Sequence, residues 1–256
     1  MAPPRLSVLT LNLRNLADRW DERLPLLLAE FAALQPDVAG LQEVVYVMQQ
    51  DRLLGASGAA QYEARRGWAG RPEYGNALLL RAGGSWQAGS SGEGDRLDLG
   101  LARSAHQAVL RHSTGATSVR VVNTHLHHEV DGAAQRVAQV ESLLGWLDGL
   151  PPAEASIVTG DFNAGPTEPA CARMIAAGFR SAFCEANGAE ADVTWPSGLI
   201  AAAMDTNGDP SCLDYVWVRG AVRTLGARLC FDRPAVDDPT LFPSDHRGVL
   251  VELEVG

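Results

Sequence analysis

A chain of 256 residues has room for one large domain or two small ones, and a hydrophobic content of 46% supplies a sizeable core. The formal net charge is -10, and all 21 basic residues are arginine. An acidic chain without a basic run is poorly suited to sequence-independent binding along nucleic acid, which relies on neutralising many phosphates, although scattered arginines can still line a small groove. Cys171, Cys184, Cys212 and Cys230 show no zinc spacing, and a chain of this size folds without staples, so reduced structural thiols are expected. The N-terminus runs straight into Leu6-Ser7-Val8-Leu9, with no charged leader and cleavage site before it. No apolar run is long enough to span a bilayer, so the expectation is a soluble cytoplasmic protein without a transmembrane segment.

Residues 5–13 read as a strand of mixed apolar and polar residues that ends near Asn12. A helix is expected over 23–34, capped by Asp21, with Leu24, Leu27, Leu28 and Phe31 on one face; Gln35-Pro36-Asp37 stops it. A short strand at 38–43 and a helix at 44–54 follow. Residues 62–112 are strand-like and Gly-rich, with strands at 74–81, 85–87 and 107–111 and a hairpin turn at Gly83-Gly84. A strand at 117–126, a helix at 135–147 with Val140, Leu143 and Leu147 inward, and a strand at 156–160 repeat the strand–helix–strand layout of residues 5–43. The repeat is one of layout, not of sequence. Beyond Pro166, a short helix over 168–177 leads to an irregular region, 185–211, too long for a simple connection and suited to a substrate rim. Strands at 212–218, 227–231 and 248–254 complete the chain, and no linker divides it, so residues 1–256 are read as one domain.

Polar residues recur where these strands end. The apolar Ile157-Val158 leads through Gly160 into Asp161 and Asn163. If strand geometry persists, side chains two apart share a face, which sets both at a strand mouth able to hold a water or a phosphate oxygen. The same residues also make an ordinary Asx turn, and the local sequence leaves both readings open. Glu43 lies between apolar Leu41 and Val44, where a carboxylate is costly to desolvate unless it meets a cation. Oxygen ligands of the Asn12, Glu43 and Asp type, with no thiolate, suit Mg²⁺ or Mn²⁺ rather than Zn²⁺. His125, beside His127 and His128, reads either as a core histidine or as a site residue. Asp245-His246 follows a Pro-Ser turn, and Asp214 heads an apolar strand. An Asp paired with a His fixes its tautomer and raises its pKa, which phosphoester chemistry uses.

Taken in order, Leu11-Asn12, Leu41-Gln42-Glu43-Val44, Asn123-Thr124-His125-Leu126, Gly160-Asp161-Phe162-Asn163, Leu213-Asp214-Tyr215 and Ser244-Asp245-His246 resemble the motifs of the endonuclease/exonuclease/phosphatase superfamily, the deoxyribonuclease-I-like fold. The resemblance spans residues 11–246 and leaves 55–112 and 185–211 unconstrained. It implies an α/β (α+β) four-layer sandwich, two packed mixed β-sheets flanked by helices, with the site at one edge. It also implies that Glu43 binds the divalent cation, helped by Asn12 and Asp245. By the same resemblance Asp161 aligns or activates the attacking water and Asn163 holds it. His246, oriented by Asp214, would contact the scissile phosphate, with His125 opposite as donor or general acid. Two histidines and one metal would then supply the positive charge for the reaction.

The resemblance implies a Mg²⁺- or Mn²⁺-dependent phosphoester hydrolase, most simply a phosphodiesterase. Within it stand a nuclease acting on DNA or RNA, and a phosphatase or phospholipase-type enzyme acting on inositol phosphates or sphingomyelin, because one fold serves many substrates. A non-catalytic binding protein would be expected to have lost a ligand or the catalytic histidine, and none is lost. The candidate rim comprises residues 60–72, with Arg65, Arg66, Trp68 and Arg71, and residues 195–210, beginning at Trp195. Such a cluster either stacks a base and holds a second phosphate or consists of solvated loop arginines.

Overall fold

The computed structural model describes residues 3–56, 62–68, 70–90, 92–115, 117–202, 204 and 208–256. In chain order the elements are β1 (Arg5–Asn12), α1 (Trp20–Leu34), β2 (Val38–Val45), α2 (Asp51–Ala56), β3 (Tyr62–Gly67), β4 (Tyr74–Arg81), β5 (Trp86–Ala88), β6 (Arg96–Gly100), β7 (Arg103–His112), β8 (Ser118–His125), α3 (Ala133–Gly149), β9 (Ala155–Asp161), α4 (Pro169–Ala176), β10 (Arg180–Ser181), α5 (Ala182–Asn187), β11 (Asp214–Gly220), β12 (Val222–Cys230) and β13 (Gly248–Val255). They make a six-stranded sheet in the order β12-β13-β1-β2-β4-β3 and a seven-stranded sheet in the order β10-β11-β9-β8-β7-β5, with β6 also on β7. The pairs β1–β2 and β8–β9 are parallel, each crossed by one helix, α1 or α3, so both sheets are mixed. The layout repeat in the sequence is this pair of βαβ units.

Strand alternation produces the layers. Leu6, Val8, Val38, Val121, Ile157 and Val216 point between the two sheets. The intervening Leu9, Leu11 and Leu41 face Leu24, Leu27 and Phe31 of α1. On the far side, Val122, Val158 and Trp217 meet Val140, Leu143 and Leu147 of α3 and Met174 of α4. The result is helix, sheet, sheet, helix, the four-layer sandwich expected from the sequence. Continuing the inter-sheet rows at period two reaches Thr10 and Asn12, Gln42, Asn123 and His125, Thr159 and Asp161, and Asp214, all buried. The inter-sheet layer therefore turns from apolar to polar along its strands, and the polar end is the candidate site.

Several local expectations are corrected. Asp21 does not cap α1: the helix already starts at Trp20, and its N-cap position is Arg19, which makes no side-chain cap bond. The helix expected over 44–54 is a strand to Val45, one wide π turn over Tyr46–Gln50, and only then α2. Gly83-Gly84 does not close a hairpin, because β4 pairs in the first sheet and β5 pairs with β7 in the second; the turn is a crossover between layers. The strand expected at 212–218 lies two residues later, as β11, and the one expected at 227–231 runs longer, as β12, with a register shift between Thr224 and Gly226. All four cysteines are free thiols, three of them buried. Among the described residues no helix is long and apolar enough to cross a membrane.

The sheets approach closely at Gly40. A Cβ there would run into Thr159 Oγ1 on the opposite sheet and lie 3.0 Å from Asn123 Oδ1. Around that contact, Gln42 Nε2 donates to Asn123 Oδ1 at 2.7 Å, and Asn123 Nδ2 donates to Leu41 O and Ala77 O at 2.8 and 3.0 Å. Gly40→Ala is expected to lower unfolding stability by about 1–3 kcal/mol in urea titrations, the usual cost of overpacking. A Thr159→Ala background should recover part of that loss; purely additive effects would mean that the two residues do not meet.

His106 of β7 is buried and carries a testable pH signature. Burial pushes its imidazole down to about 4 from an ordinary 6.5, outweighing contacts with the backbone of Arg65 and Asn123. The unfolded chain therefore takes up a proton between those values that the folded chain refuses. The resulting stability is fully present above pH 6.5 and is lost as the pH falls toward 4. Between pH 6.5 and 5 the wild type should lose about 2 kcal/mol more than His106→Gln in denaturant midpoints. Parallel pH profiles for the two proteins would contradict this.

Candidate active site

Four parallel strand ends bring the site together. β1 ends at Asn12 and β9 at Asp161, on opposite sheets, and Asn12 Nδ2 donates to Asp161 Oδ2 at 2.9 Å. β8 ends at His125, in register with Asp161, and its Nε2 lies 3.5 Å from Asp161 Oδ2. Glu43 needs a further device. By alternation it would point to the helix side with Leu41, but the β2–β4 pairing shifts register between Leu41 and Val44, and Glu43 has φ of 53°. This bulge re-aims the side chain toward Asn12 and Asn15. Asn15 Nδ2 donates to Glu43 Oε2 at 2.7 Å, and Asn12 Nδ2 lies 3.4 Å from Oε1.

Asn163 resolves the two readings of its loop by satisfying both. Strand geometry stops at Asp161, and Asn163 adopts φ of 48°. Its backbone N–H donates to Asp161 Oδ1 at 2.9 Å, which is the Asx turn. Its side-chain amide nevertheless lies 3.0 Å from His125 Nε2 and donates to Leu126 O at 3.1 Å, so it reaches the site through the turn.

The loop after β1 is held open by a buried guanidinium. Arg14, Asn15, Asp18 and Arg19 all have positive φ, from 35° to 62°. Such backbone costs roughly 1–2 kcal/mol per non-glycine residue and needs an external tie. Arg23 of α1 provides it, donating to the carbonyls of Leu13, Asp18, Ala17 and Pro243 at 2.7–3.1 Å and reaching those of Arg14 and Asn15 at 3.3 Å. Its bond to Pro243 fixes the 13–19 loop against the segment that carries Ser244, Asp245 and His246. Ser244 Oγ completes the tie by donating to Asn12 O at 2.6 Å.

On that segment His246 Nδ1 donates to Asp214 Oδ2 at 2.8 Å, and Thr194 Oγ1 donates to the same oxygen at 2.7 Å. His246 Nε2 faces Asp161 Oδ2 at 3.7 Å. Burial alone would lower the His246 pKa, but Asp214, Asp161 and Asp245 outweigh it and raise it to about 10, so the ring is cationic. Asp161 moves the other way: burial, reinforced by Asp214, raises its carboxyl to about 7 against the pull of His246 and the Asn12 bond. His125 is different again. Burial, then Arg103, His246 and His128, hold it well below the ordinary range. Arg103 Nη1 lies 2.9 Å from His125 Nδ1 and Asn163 Nδ2 lies 3.0 Å from Nε2, so the neutral ring meets a donor on each side, and the guanidinium, which only donates, favours the proton on Nε2. The expectation of two charged histidines is therefore corrected: His246 is charged, His125 is neutral, and Arg14 and Arg103 bring the other positive charges to the site.

A cavity of about 640 Å³ opens over these groups, and its lining includes Arg14, Glu43, Tyr74, Arg103, Asp161 and His246. Glu43, Asp161 and Asp245 all face it, beside Arg14, Arg103 and His246, with no thiolate among the lining residues. This donor set fits a hard divalent ion. Asp161, Asp214 and His246 also offer one ligand atom each within 4.8 Å of one another, a buried group that His246 could join as a metal ligand only after giving up its proton. Asp214 Oδ1 is buried without a hydrogen-bond partner among the described residues. Asn12 and Asp214 lie behind the cavity wall and touch it through their partners.

Half of the expected rim lies elsewhere. Arg66 stacks 4.8 Å from the Tyr46 ring, Arg96 covers Trp68 at 4.0 Å, Arg65 donates to Gly89 O at 2.9 Å, and none of Arg65, Arg66, Trp68 and Arg71 lines the cavity. Trp195 does line it, as expected of the second segment. Residues 60, 61 and 69 of the first segment and 203 and 205–207 of the second lie outside the described residues. The sequence reading passed over Arg14, Arg103, Tyr74 and Thr194. The signal for Arg103 was its place at the head of a strand, after Leu101 and Ala102; the others gave none.

The Endonuclease/Exonuclease/phosphatase family model matches residues 9–246. No curated protein matches the sequence. Among solved structures, D. rerio TDP2 complexed with single strand DNA product has a TM-score of 0.81 at 19% identity, covering 98% of this chain and 99% of that one. An endonuclease/exonuclease/phosphatase family protein from Bacteroides thetaiotaomicron has 0.80 at 19% identity, with 100% of each chain covered. The human Nocturnin catalytic domain with bound sulfate anion has 0.78 at 23% identity, covering 99% and 96%. At these identities the likeness is one of fold. The family match over residues 9–246 places this chain in the endonuclease/exonuclease/phosphatase superfamily, with the deoxyribonuclease-I-like fold.

Proposed function

We propose that the protein is a Mg²⁺- or Mn²⁺-dependent phosphodiesterase. The observation that carries this reading is the meeting of carboxylates from both sheets with one cationic histidine at the mouth of a single cavity. Glu43, helped by Asn12 and Asp245, would hold the ion, which supplies charge neutralisation at the phosphate oxygens when bound. Asp161, whose carboxyl sits near 7, is suited to take a proton from an attacking water that Asn163 helps to hold. His246, fixed by Asp214 and Thr194, serves as a charged donor to the phosphate rather than as the base, because three carboxylates keep its proton on. His125 acts as a neutral Nε2 donor from the other side, with Arg103 setting its tautomer. Hydrogen-bond donors placed where charge develops are the main source of rate in such chemistry.

With Mg²⁺ or Mn²⁺ the wild type should hydrolyse bis(4-nitrophenyl) phosphate, lose that activity in EDTA and regain it on adding metal. Asp161→Asn and His246→Ala should each lower kcat by at least about 100-fold. The pH profile should rise from the acid side as Asp161 ionises and fall on the alkaline side as His246 loses its proton. Activity unchanged in either variant would sink the proposal.

A further inference from the structure

The guanidinium of Arg103 has a second partner that the proposed reaction leaves unused. Arg103 is placed by a two-residue hairpin turn: β6 and β7 pair antiparallel with Gly100 opposite Arg103, which leaves Leu101 and Ala102 as the turn. Both have positive φ, 53° and 56°, the backbone of a primed hairpin turn and a costly one for residues with a Cβ. From the head of β7 the guanidinium spans two rings. Nη1 lies 2.9 Å from His125 Nδ1, and Nη2 lies 3.1 Å from His128 Nδ1. Among the described residues it has no other hydrogen-bond partner.

His128 lines the cavity beside Arg103, and its backbone is held although its side chain is 60% exposed. His127 N donates to Gln139 Oε1 at 2.8 Å, and Arg136 Nη1 of α3 donates to Glu129 O at 2.7 Å and reaches His127 O at 3.3 Å. The His127 ring meets the His128 ring edge to face, with centroids 5.6 Å apart, and Glu129 Oε1 lies 3.5 Å from His128 Nε2. A guanidinium only donates, so His128 Nδ1 is the acceptor and its Nε2 carries the proton, on the side of Glu129. Glu129, His128, Arg103 and His125 therefore form one chain from solvent to the site.

Two donors compete for the one lone pair of a neutral His125 ring. Arg103 reaches Nδ1, and Asn163 Nδ2 reaches Nε2 at 3.0 Å while also donating to Leu126 O at 3.1 Å. Nε2 is also the nitrogen on the side of Asp161, 3.5 Å from its Oδ2. While Arg103 holds Nδ1, the proton stays on Nε2; if Asn163 wins, Nε2 becomes an acceptor and a donor to the reaction is lost. Glu43 lines the same recess as Arg103, so a guanidinium released from His128 has a carboxylate to turn toward. Building on the phosphodiesterase reading, we infer that His128 is a positioning residue: by accepting from Arg103 Nη2 it keeps that guanidinium on His125 Nδ1, and so keeps the His125 proton on Nε2. His128 acts through Arg103 and needs no contact with the substrate.

Nitrogen NMR of histidine-labelled protein in Mg²⁺ tests this apart from turnover, at about pH 8, where histidine rings are ordinarily neutral. The chain has six histidines, and His125→Gln assigns the signal that matters. Wild type and His128→Asn, whose side-chain oxygen can stand where Nδ1 stood, should show His125 protonated on Nε2. His128→Ala and His128→Lys, which offer no acceptor, should shift it toward the Nδ1-protonated form. With bis(4-nitrophenyl) phosphate the same two variants should lose about 10- to 100-fold in kcat, up to the scale of one lost donor to developing charge, with KM within about twofold. In an Arg103→Met background, His128→Ala should change neither reading further. A His125 tautomer unmoved in His128→Ala and His128→Lys, or an equal kcat loss in His128→Asn, would overturn the inference. The expected tautomer shifts in a protein that hydrolyses no phosphodiester would support the positioning role and contradict the phosphodiesterase reading instead.

Discussion

The buried polar seam between the sheets is the constraint on which the rest depends. Asn123 bridges Gln42 and the carbonyls of Leu41 and Ala77, and Thr159 closes on Gly40 from the other side. An inter-sheet layer of apolar side chains alone would allow small slides at little cost. Hydrogen bonds in a buried, low-dielectric layer tolerate little displacement, because each broken one leaves a desolvated polar atom at about 1–3 kcal/mol. The seam thereby fixes the sheets one residue pair below the bond between Asn12 and Asp161. The site inherits its geometry from the fold beneath it.

Above the seam, order is kept against local preference. Glu43 and Asn163 both sit in left-handed backbone, and four residues of the 13–19 loop do the same. Those conformations persist because something holds them: the bulge in β2, the Asx bond from Asn163 to Asp161, and the six carbonyls gathered by Arg23. Strain of this kind is common where side chains must be aimed at a substrate rather than at the core. The electrostatics follow the same logic. A cationic His246, a neutral His125 and an Asp161 poised near neutrality lie within a few ångströms, and their environments, not their residue types, set them apart.

Much of this was legible in the sequence, for identifiable reasons. Period-two alternation continues unbroken from Val8 to Asn12 and from Ile157 to Asp161, so the end of an apolar row announces a polar residue on the inter-sheet face. Asp214 stood out as an acid heading an apolar strand, and its pairing with His246 came from the family resemblance. What the sequence could not disclose depends on contacts between distant segments. The aim of Glu43 rests on a bulge opposite β4, the tautomer of His125 on an arginine more than twenty residues upstream, and the loop after β1 on a guanidinium that resembles any helix arginine. Gly83-Gly84 misled because a two-glycine turn looks the same whether it joins neighbouring strands or crosses between sheets. The arginines at 65, 66 and 71 misled because composition says where charge lies along the chain but not which face it takes.

The central claim of the proposed function is that Glu43, with Asn12 and Asp245, holds one divalent ion beside Asp161. Titrating Mn²⁺ into the protein by calorimetry, with wild type, Glu43→Gln and Asp245→Asn side by side, addresses it without any substrate. The account predicts saturable binding to the wild type and at least about a tenfold loss of affinity in each variant. Mn²⁺ binding of wild-type strength in Glu43→Gln would contradict it.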